Sequence, residues 1–313
     1  MADVNDLRIV SLLPSATEIV VALGLGEQLV GRSHECDYPE WVQRLPVCTS
    51  TKLEKGLTSR QIDDRVHEIV RQGLSVYEVD AQLLRSLKPD LILTQSQCAV
   101  CAVTPADLDD ALGSWLGAAP TLLSLAPDTL GDVWNDIASI AEASGVEELG
   151  QELVCRLRAR LKALPEVAER PRVLAIEWLD PLMIAGNWIP EVMELAGGTP
   201  LLTIPGQHSD YVEWIDAAAQ NPDIIIVMPC GYRVEQSLAE MRALTERAGW
   251  DKLTAVRDGR VFVADGQYFF NRPGPRLVES AEMVSGMLRA PLDVERSEDG
   301  SWVRFTPELA SAC

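Results

Sequence analysis

Residues 88–93 read Lys-Pro-Asp-Leu-Ile-Leu, and residues 221–226 repeat the phrase as Asn-Pro-Asp-Ile-Ile-Ile. In each copy the proline ends a helix, and the aliphatic run after it is typical of a strand buried on both faces of a parallel sheet. Short β-type runs alternate with helical patterns around both copies, which indicates an α/β class with crossover helices. The sequence therefore predicts two Rossmann-like α/β lobes with parallel-rich sheets. Strands are predicted at residues 8–13, 29–33, 91–95, 121–125, 172–176, 224–228 and 260–264.

Capping residues mark where several helices begin. Ser15 with Glu18, and Thr58 with Gln61, have the spacing of a capping box, in which two side chains satisfy the first backbone N–H groups. Asp80 and Thr104 are further N-cap candidates, the second with Pro105 in the first helical turn.

No Gly/Ser-rich linker separates the two lobes, and residues 129–169 look almost entirely helical with one break at Gly145. Leucines recur after that break at three- to four-residue spacing, which predicts a helix of about 22 residues and about 33 Å. Such a helix would join the lobes rigidly. The predicted domains are an N-terminal lobe at 1–127, a helical segment at 128–170, a C-terminal lobe at 171–291 and a tail at 292–313.

Composition limits the function classes. The chain has 313 residues, 47% of them hydrophobic and 24% charged, and a net charge of −20. So much apolar sequence excludes a disordered chain, and the acidic excess without a basic cluster disfavours binding to nucleic acid or anionic surfaces. No uncharged stretch is long enough to span a bilayer, and no leader-like pattern follows Met1. The expected location is therefore the cytoplasm, with no membrane insertion.

Familiar catalytic signals are missing from the sequence: it has no phosphate-binding P-loop, no Gly-x-Ser-x-Gly turn and no His-Glu-x-x-His pair. Gly24, Gly26 and Gly31 follow a helix rather than a strand, so they are interpreted as helix-end glycines and not as a dinucleotide loop. The expected protein is not an enzyme.

Ligands of open α/β sheets bind beyond the carboxyl ends of the strands. Aromatic residues are only 5% of this chain, yet many follow predicted strands, which suits a broad, mostly apolar ligand held in a cleft between the lobes. Packing between the lobes is the alternative explanation. The candidate ligand-binding residues are His34, Tyr38, Trp178, Trp188, His208, Tyr211, Tyr232, Tyr268, Phe269, Phe270 and Asn271.

Two of these candidates are histidines. His34 and His208 are hypothesised to be axial ligands of a cobalt or iron centre, because neutral imidazole coordinates such metals. A hydrogen-bonded structural histidine is the alternative for each.

Four of the seven cysteines follow strands and are predicted to meet at the cleft, namely Cys36, Cys98, Cys101 and Cys230. Thiolates favour zinc, copper(I) or an iron–sulfur cluster, and the Cys-x-x-Cys pair supplies half of a tetrahedral site. A redox pair or buried small side chains are the alternatives. Cys48, Cys155 and Cys313 are interpreted as having no part in such a site.

The run Arg-Ile-Val-Ser-Leu-Leu-Pro-Ser-Ala-Thr-Glu at 8–18, the Asp-Tyr-Pro at 37–39 and the Lys-Pro-Asp phrase resemble helical-backbone metal receptors of the class III periplasmic-binding-protein type. These are solute-binding proteins of cobalamin, haem and iron-siderophore ABC importers, and the cobalamin branch is the nearest in likeness. The resemblance, over about residues 7–291, implies two lobes on one backbone helix with a corrinoid in the cleft. It places His34, Trp178 and the loop 268–271 at ligand-contacting positions.

The sequence departs from that family where importer proteins carry a permease-docking glutamate in each lobe, since the matching positions are Gln82 and Ile215. Permease docking is therefore doubtful on this alignment. The leading hypothesis is a cytoplasmic, non-catalytic binding protein for cobalamin or a related corrinoid or metal chelate. The alternatives are a zinc or iron–sulfur metalloprotein with a redox role, and the solute-binding subunit of an ABC importer.

Overall fold

The computed structural model describes residues 6–54, 56–72, 75–96, 103–108, 119–307 and 309. The chain separates into two compact units. The first contains residues 1–57, 62–127 and 131–157, and the second contains residues 58–61, 128–130 and 158–313.

The first unit is built on a four-stranded parallel sheet with the strand order β2-β1-β5-β6. Strand β5 is buried along its whole length, as expected for a strand covered on both faces of a parallel sheet. A separate antiparallel pair joins β3 to β4. The strands are β1 (Ile9–Ser11), β2 (Leu29–Arg32), β3 (Thr49–Thr51), β4 (Tyr77–Val79), β5 (Leu91–Gln95) and β6 (Thr121–Leu125).

The first helix, α1 (Pro14–Ala22), begins differently from the prediction. Leu13 is the N-cap residue and makes no side-chain cap, while Ser15 is buried inside the helix. Pro14 explains this start, because its fixed φ suits the first helical turn and its missing N–H needs no partner there. The capping box predicted for Ser15 and Glu18 is therefore wrong.

The caps predicted at Thr58 and Asp80 are confirmed. Thr58 N–H donates to Gln61 Oε1 over 2.9 Å before α2 (Ser59–Arg71), and Leu83 N–H donates to Asp80 Oδ1 over 2.9 Å at the start of α3 (Ala81–Leu87). Residues 105–108 are helical, and Thr104 contributes its own N–H and hydroxyl to Asp107 Oδ2, each at 2.8 Å.

Two helices follow β6, one on each side of Gly145, as predicted. They are α4 (Leu130–Ala143), of 14 residues, and α5 (Glu147–Lys162), of 16 residues. The break at Gly145 is confirmed, since its φ is +71° and its N–H donates to Glu142 O over 3.0 Å. The second helix is shorter than the predicted 22 residues. It ends at Lys162, shortly before Pro165.

The second unit has a seven-stranded mixed sheet with the order β10-β8-β7-β11-β12-β13, and β9 pairs with β7. Strands β7, β11, β12 and β9 are parallel to one another at their contacts, whereas β8, β10 and β13 pair antiparallel. The strands are β7 (Arg172–Trp178), β8 (Met183–Ile184), β9 (Thr199–Pro200), β10 (Asp210–Tyr211), β11 (Ile224–Val227), β12 (Val261–Ala264) and β13 (Trp302–Arg304).

Helices cover this sheet, and the apolar core packs between them and strands β7, β11 and β12. Strand β13 lies in the segment predicted as a C-terminal tail, so that segment contributes an edge strand; the predicted domain boundaries as a set stay predictions. The helices are α6 (Ile189–Leu195), α7 (Trp214–Ala219), α8 (Val234–Glu240), α9 (Arg242–Thr245), α10 (Thr254–Arg257) and α11 (Leu277–Arg289).

The repeated phrase makes the same contacts in both units. Asp90 Oδ2 accepts the N–H of Arg8 over 2.9 Å, and Asp223 Oδ2 accepts the N–H of Arg172 over 2.8 Å. In each unit that arginine begins or precedes the first strand of the parallel sheet, and its guanidinium donates to a carbonyl two residues before the proline. The internal similarity predicted from the sequence is therefore confirmed at the level of hydrogen bonds.

Candidate functional site

The carboxyl end of β2 in the first unit carries His34. Its Nδ1 lies 2.8 Å from Thr49 Oγ1, its backbone N–H donates to the same oxygen over 3.0 Å, and its ring centre is 5.6 Å from that of Tyr77. Burial, and then the positive charge of Arg32, lower the pKa of His34 below its ordinary 6.5. The imidazole is therefore neutral at physiological pH, the form that can coordinate a metal.

Cys36, two residues further on, is buried beneath the start of the first helix. Thr17 Oγ1 donates to its sulfur over 3.1 Å, and the sulfur lies 3.8 Å from Ser11 O. Such a position fits a small buried side chain. Tyr38, next along the same loop, is 42% exposed.

The described residues give no support to a thiolate metal site. Cys98 and Cys101 lie outside the described residues, and Cys230 is an exposed residue of the second unit. Within the described part of the chain, no group of three or more His, Cys, Asp and Glu side chains has the arrangement to hold a metal ion. Cys48 is buried as well, and burial raises the pKa of its thiol to about 11, so it stays protonated.

Aromatic side chains meet at the carboxyl edge of the second unit's sheet. Trp178 ends β7 and Tyr232 follows the neighbouring β11, and their rings pack edge to face with centres 5.4 Å apart. Burial, and then the charge of Glu240, raise the pKa of Tyr232 to about 12. Gln267 N–H donates to Tyr232 O over 3.0 Å, which ties the loop after β12 to this pair.

Glu177 and His208 interact near the carboxyl end of β7. Ser209 Oγ donates to Glu177 Oε2 over 2.9 Å and accepts the N–H of Gly186 over 2.9 Å. His208 is exposed, and its Nδ1 lies 2.9 Å from Ser209 O. A carbonyl oxygen only accepts, so Nδ1 carries the proton in this bond and leaves the lone pair of the neutral ring on Nε2. That is the arrangement in which histidine coordinates metals.

Burial raises the pKa of Glu177 to about 7, against the opposing effects of the Ser209 hydrogen bond and of His208. The carboxyl is therefore half protonated near neutral pH. Glu177 stands at a strand end in the sequence, but nothing in the sequence shows that its side chain turns inward, so its raised pKa could not have been predicted.

Several predicted ligand residues instead hold their own unit together. Trp188 is 6% exposed and its Nε1 donates to the backbone carbonyl of Phe270 over 2.9 Å, while Phe270 is completely buried. Asn271 Nδ2 donates to Gly266 O over 2.9 Å and closes the loop. Direct contact of these three residues with a ligand stays a prediction. Tyr211, by contrast, is 52% exposed.

The loop after β12 forms a single π-helical turn, Gly266–Phe270, and carries Tyr268 and Phe269. Three guanidinium groups lie against these two rings. They were not among the predicted site residues, although two of them frame the Arg-Pro-Gly-Pro-Arg stretch at 272–276. The third, Arg233, directly follows Tyr232.

A cavity of about 540 Å³ lies away from these residues, at the amino end of β7. Arg170, Glu191, Glu194 and Thr199 contribute to its lining. The guanidinium of Arg170 donates to Glu194 O and Gly198 O over 2.7 and 2.9 Å, so this side chain is hydrogen-bonded to the backbone beside the cavity.

The two predicted docking positions are both exposed, Gln82 on α3 and Ile215, at 75%, on α7. Whether a permease contacts them is untested, and the doubt about docking stays a prediction. None of the helices in the described residues combines the length and the apolar composition that crossing a bilayer requires.

A family model described as periplasmic binding protein matches residues 9–268. Among curated relatives, an uncharacterized ABC transporter substrate-binding lipoprotein, YvrC, from Bacillus subtilis is 25% identical over 290 residues, which are 89% of this chain and 78% of the relative. A vitamin B12-binding protein from Vibrio cholerae is 25% identical over 295 residues, 90% of this chain and 89% of the relative.

Solved structures show the same fold. The periplasmic vitamin B12 binding protein BtuF of Vibrio cholerae has a TM-score of 0.60 at 21% identity, covering 90% of this chain and 96% of its own. The periplasmic heme-binding protein BhuT, in complex with two hemes, has a TM-score of 0.66 at 22% identity, covering 90% and 97%. The α/β two-lobe fold class predicted from the sequence is confirmed by these likenesses.

The same comparisons contradict the cytoplasmic location expected from the sequence. The matched family is one of periplasmic proteins, and its relatives include a lipoprotein of an ABC transporter, so they act outside the cytoplasm. The expectation was wrong because it relied on the absence of a leader pattern at the start of the chain. The family match over most of the chain is stronger evidence of location.

Proposed function

The chain belongs to the periplasmic binding protein family, and from that premise we propose that it is the non-catalytic substrate-binding component of an ABC importer for a metal chelate of the cobalamin or haem type. The cytoplasmic hypothesis is replaced by this one. A zinc or iron–sulfur role is not carried forward, because neither the comparisons nor the described residues support it.

One observation carries the proposal: the half-buried Trp178, at the carboxyl edge of the second unit's sheet, packs edge to face against the buried ring of Tyr232, and the same unit carries the exposed His208. Aromatic faces suit a flat, largely apolar macrocycle. An imidazole whose Nδ1 is held by a carbonyl presents Nε2 to a metal. The relatives that the chain resembles are described as binding vitamin B12 or heme, which agrees with this chemistry.

Cobalamin is the ligand we favour, since a curated relative described as a vitamin B12-binding protein matches 90% of this chain. Haem is the second candidate, and His208 is the observation that favours it, because axial imidazole is a common haem ligand. His34, neutral and hydrogen-bonded to Thr49, is the corresponding candidate in the first unit.

A titration of the purified chain with cyanocobalamin, ferric haem and a ferric siderophore tests the proposal. Visible absorbance and calorimetric heat should report a dissociation constant of about 1 µM or lower for cobalamin or haem, equivalent to about −8 kcal/mol. Binding of none of them below about 100 µM would refute the proposal. A preference for the siderophore alone would refute the macrocycle and retain only the importer role.

A further inference from the structure

Glu177 is a carboxyl group at the carboxyl end of β7 that the proposed function does not use. It precedes Trp178, the last residue of the strand, and its backbone carbonyl accepts the N–H of Cys230 over 3.1 Å. This bond holds it beside the segment that follows β11. Ligands of open α/β sheets bind at this edge. Glu177 therefore lies where the periphery of a bound chelate is expected.

One oxygen of this carboxyl is held by the protein, and the other is open. Oε2 accepts the hydroxyl of Ser209 over 2.9 Å, and that hydroxyl accepts the N–H of Gly186 over 2.9 Å, so the orientation of the carboxyl is fixed. Among the residues that the structure describes, no donor reaches Oε1, and this oxygen is not enclosed by the protein. Glu177 thus presents one oriented acceptor to a ligand.

No lysine or arginine of the described chain forms an ion pair with this carboxyl. Burial raises its pKa to about 7, and the opposing effects come from the Ser209 hydrogen bond and from His208. An ionised carboxylate is less favourable in such surroundings than in water, so this residue weakens the fold at neutral pH and above. Groups perturbed in this way are found preferentially at functional sites. A hydrogen-bond donor on a ligand would stabilise the ionised form.

We propose that Glu177 is a specificity-determining residue: its Oε1 accepts a hydrogen bond from a carboxamide on the periphery of the chelate, and its charge repels a carboxylate at the same place. The inference rests on the proposed function and narrows its ligand class to amide-bearing corrinoids. Hydrogen bonds to a charged acceptor are about twice as strong as neutral ones, and like charges in contact suppress the wrong partner. Cobalamin carries several peripheral carboxamides, whereas haem carries two carboxylates.

Matched ligands test the inference on the full chain. Calorimetric titration compares cyanocobalamin with its separated monocarboxylic acids, in each of which one peripheral carboxamide is hydrolysed to a carboxylic acid. At about pH 8 Glu177 is ionised, since its pKa is about 7, and about 0.15 M salt screens the distant charges of the chain. At least one acid should bind about tenfold or more weakly than cyanocobalamin, equivalent to about 1.4 kcal/mol or more.

Variants assign this discrimination to Glu177. In Glu177→Gln the amide oxygen can still accept from Ser209, and the NH2 group then faces the ligand, where it donates to carboxylate and carboxamide oxygens alike. The disfavoured acid should therefore bind within about threefold of cyanocobalamin. Glu169→Gln, which removes an exposed carboxylate near the opposite end of β7, is the control and should keep the full discrimination. A general loss of folding would weaken all the ligands together and leave their ratio unchanged.

The outcomes keep this inference distinct from the proposed function. If cyanocobalamin binds and the wild type accepts every acid equally well, or Glu177→Gln keeps the full discrimination, the inference is overturned and the proposed function stands. If ferric haem binds and cyanocobalamin does not, the inference is again overturned, whereas the importer role for a macrocycle stands. If neither macrocycle binds, both fall together.

Discussion

The rings of Trp178 and Tyr232 meet edge to face, with centres 5.4 Å apart, at the carboxyl ends of two neighbouring parallel strands. Strand pairing fixes this contact, since β7 and β11 run in register from Val173 opposite Ile224 to Ile176 opposite Val227. Two residues from distant parts of the sequence thus share one edge. A broad ligand that bound there would contact the half-buried ring of Trp178, which the buried Tyr232 supports.

Removal of the Trp178 indole should weaken macrocycle binding. We expect Trp178→Ala to raise the dissociation constant for the tighter of cobalamin and haem by about tenfold, because an aromatic contact contributes about 0.5–1.5 kcal/mol beyond its buried area. Calorimetric titration measures the change. Trp214→Ala removes an indole that donates to Ala248 O on another part of the same unit, and should bind as the wild type does. Equal losses in both variants would point to a general loss of stability.

Glu177 should make stability depend on pH. Its pKa in the folded chain is about 7 against an ordinary 4.5, so between those values the folded state holds a proton that the unfolded state has lost. The free energy of unfolding that this group contributes is full below about pH 4.5 and is lost as the pH rises through 7, at most roughly 3 kcal/mol. Urea unfolding should therefore show that the free energy of unfolding of Glu177→Gln, relative to that of the wild type, is higher at pH 8 than at pH 5.

The exposed Glu235→Gln is the control for that measurement and should follow the wild type at both pH values. Asp136 contributes in the same direction, because burial and then the charge of Asp132 raise its pKa to about 7. For that reason the wild type alone is not diagnostic. A stability difference between wild type and Glu177→Gln that stays constant with pH would show that Glu177 titrates at its ordinary pKa.

His208 should be visible in the spectrum of bound haem. If its Nε2 coordinates the iron, His208→Ala should shift the Soret maximum of the ferric complex and weaken binding by about tenfold or more. His67→Ala, on the exposed face of α2 beside Asp63, removes an imidazole elsewhere and should leave the spectrum unchanged. An unchanged Soret band in His208→Ala would exclude this residue as the axial ligand.

Gly186 should be intolerant of a side chain. A Cβ there would lie 2.4 Å from Gln207 O and 2.6 Å from Ser209 N, so the loop that carries His208 would have to move. We expect Gly186→Ala to lower the free energy of unfolding by about 2–4 kcal/mol, as overpacking against backbone does. Gly286→Ala, in open space on α11, should instead stabilise by about 0.5–1 kcal/mol. Thermal unfolding of both distinguishes the two, and a tolerated Gly186→Ala would contradict the close packing of this loop.

Much of the fold follows from local sequence. The strands predicted at 91–95 and 121–125 are found with those bounds, because each contains a short aliphatic run and begins one or two residues after a proline. The start of α1 was wrong, since Pro14 at the first turn outweighed the Ser15 and Glu18 spacing. Helix α5 was overextended because the leucine pattern continues past Lys162, where the helix ends.

The candidate site was predicted less completely. Strand ends could be located, so Trp178, Tyr232 and Tyr268 were named, but which side chains turn inward depends on tertiary packing. Phe270 lies buried for that reason. The arginines around Tyr268 were missed because they come from two loops that are far apart in the sequence. Only the fold brings these loops together. Glu177 gained its raised pKa in the same way, from burial that only the fold creates.

Hydrogen–deuterium exchange with and without saturating macrocycle tests the central claim most directly, that the carboxyl edge of the second unit binds the ligand. Peptides that cover residues 177–188, 206–211, 230–233 and 266–272 should be protected by cobalamin or haem. Protection confined to the region of the cavity lined by Glu191, Glu194 and Thr199, with no change at the carboxyl edge, would contradict the claim.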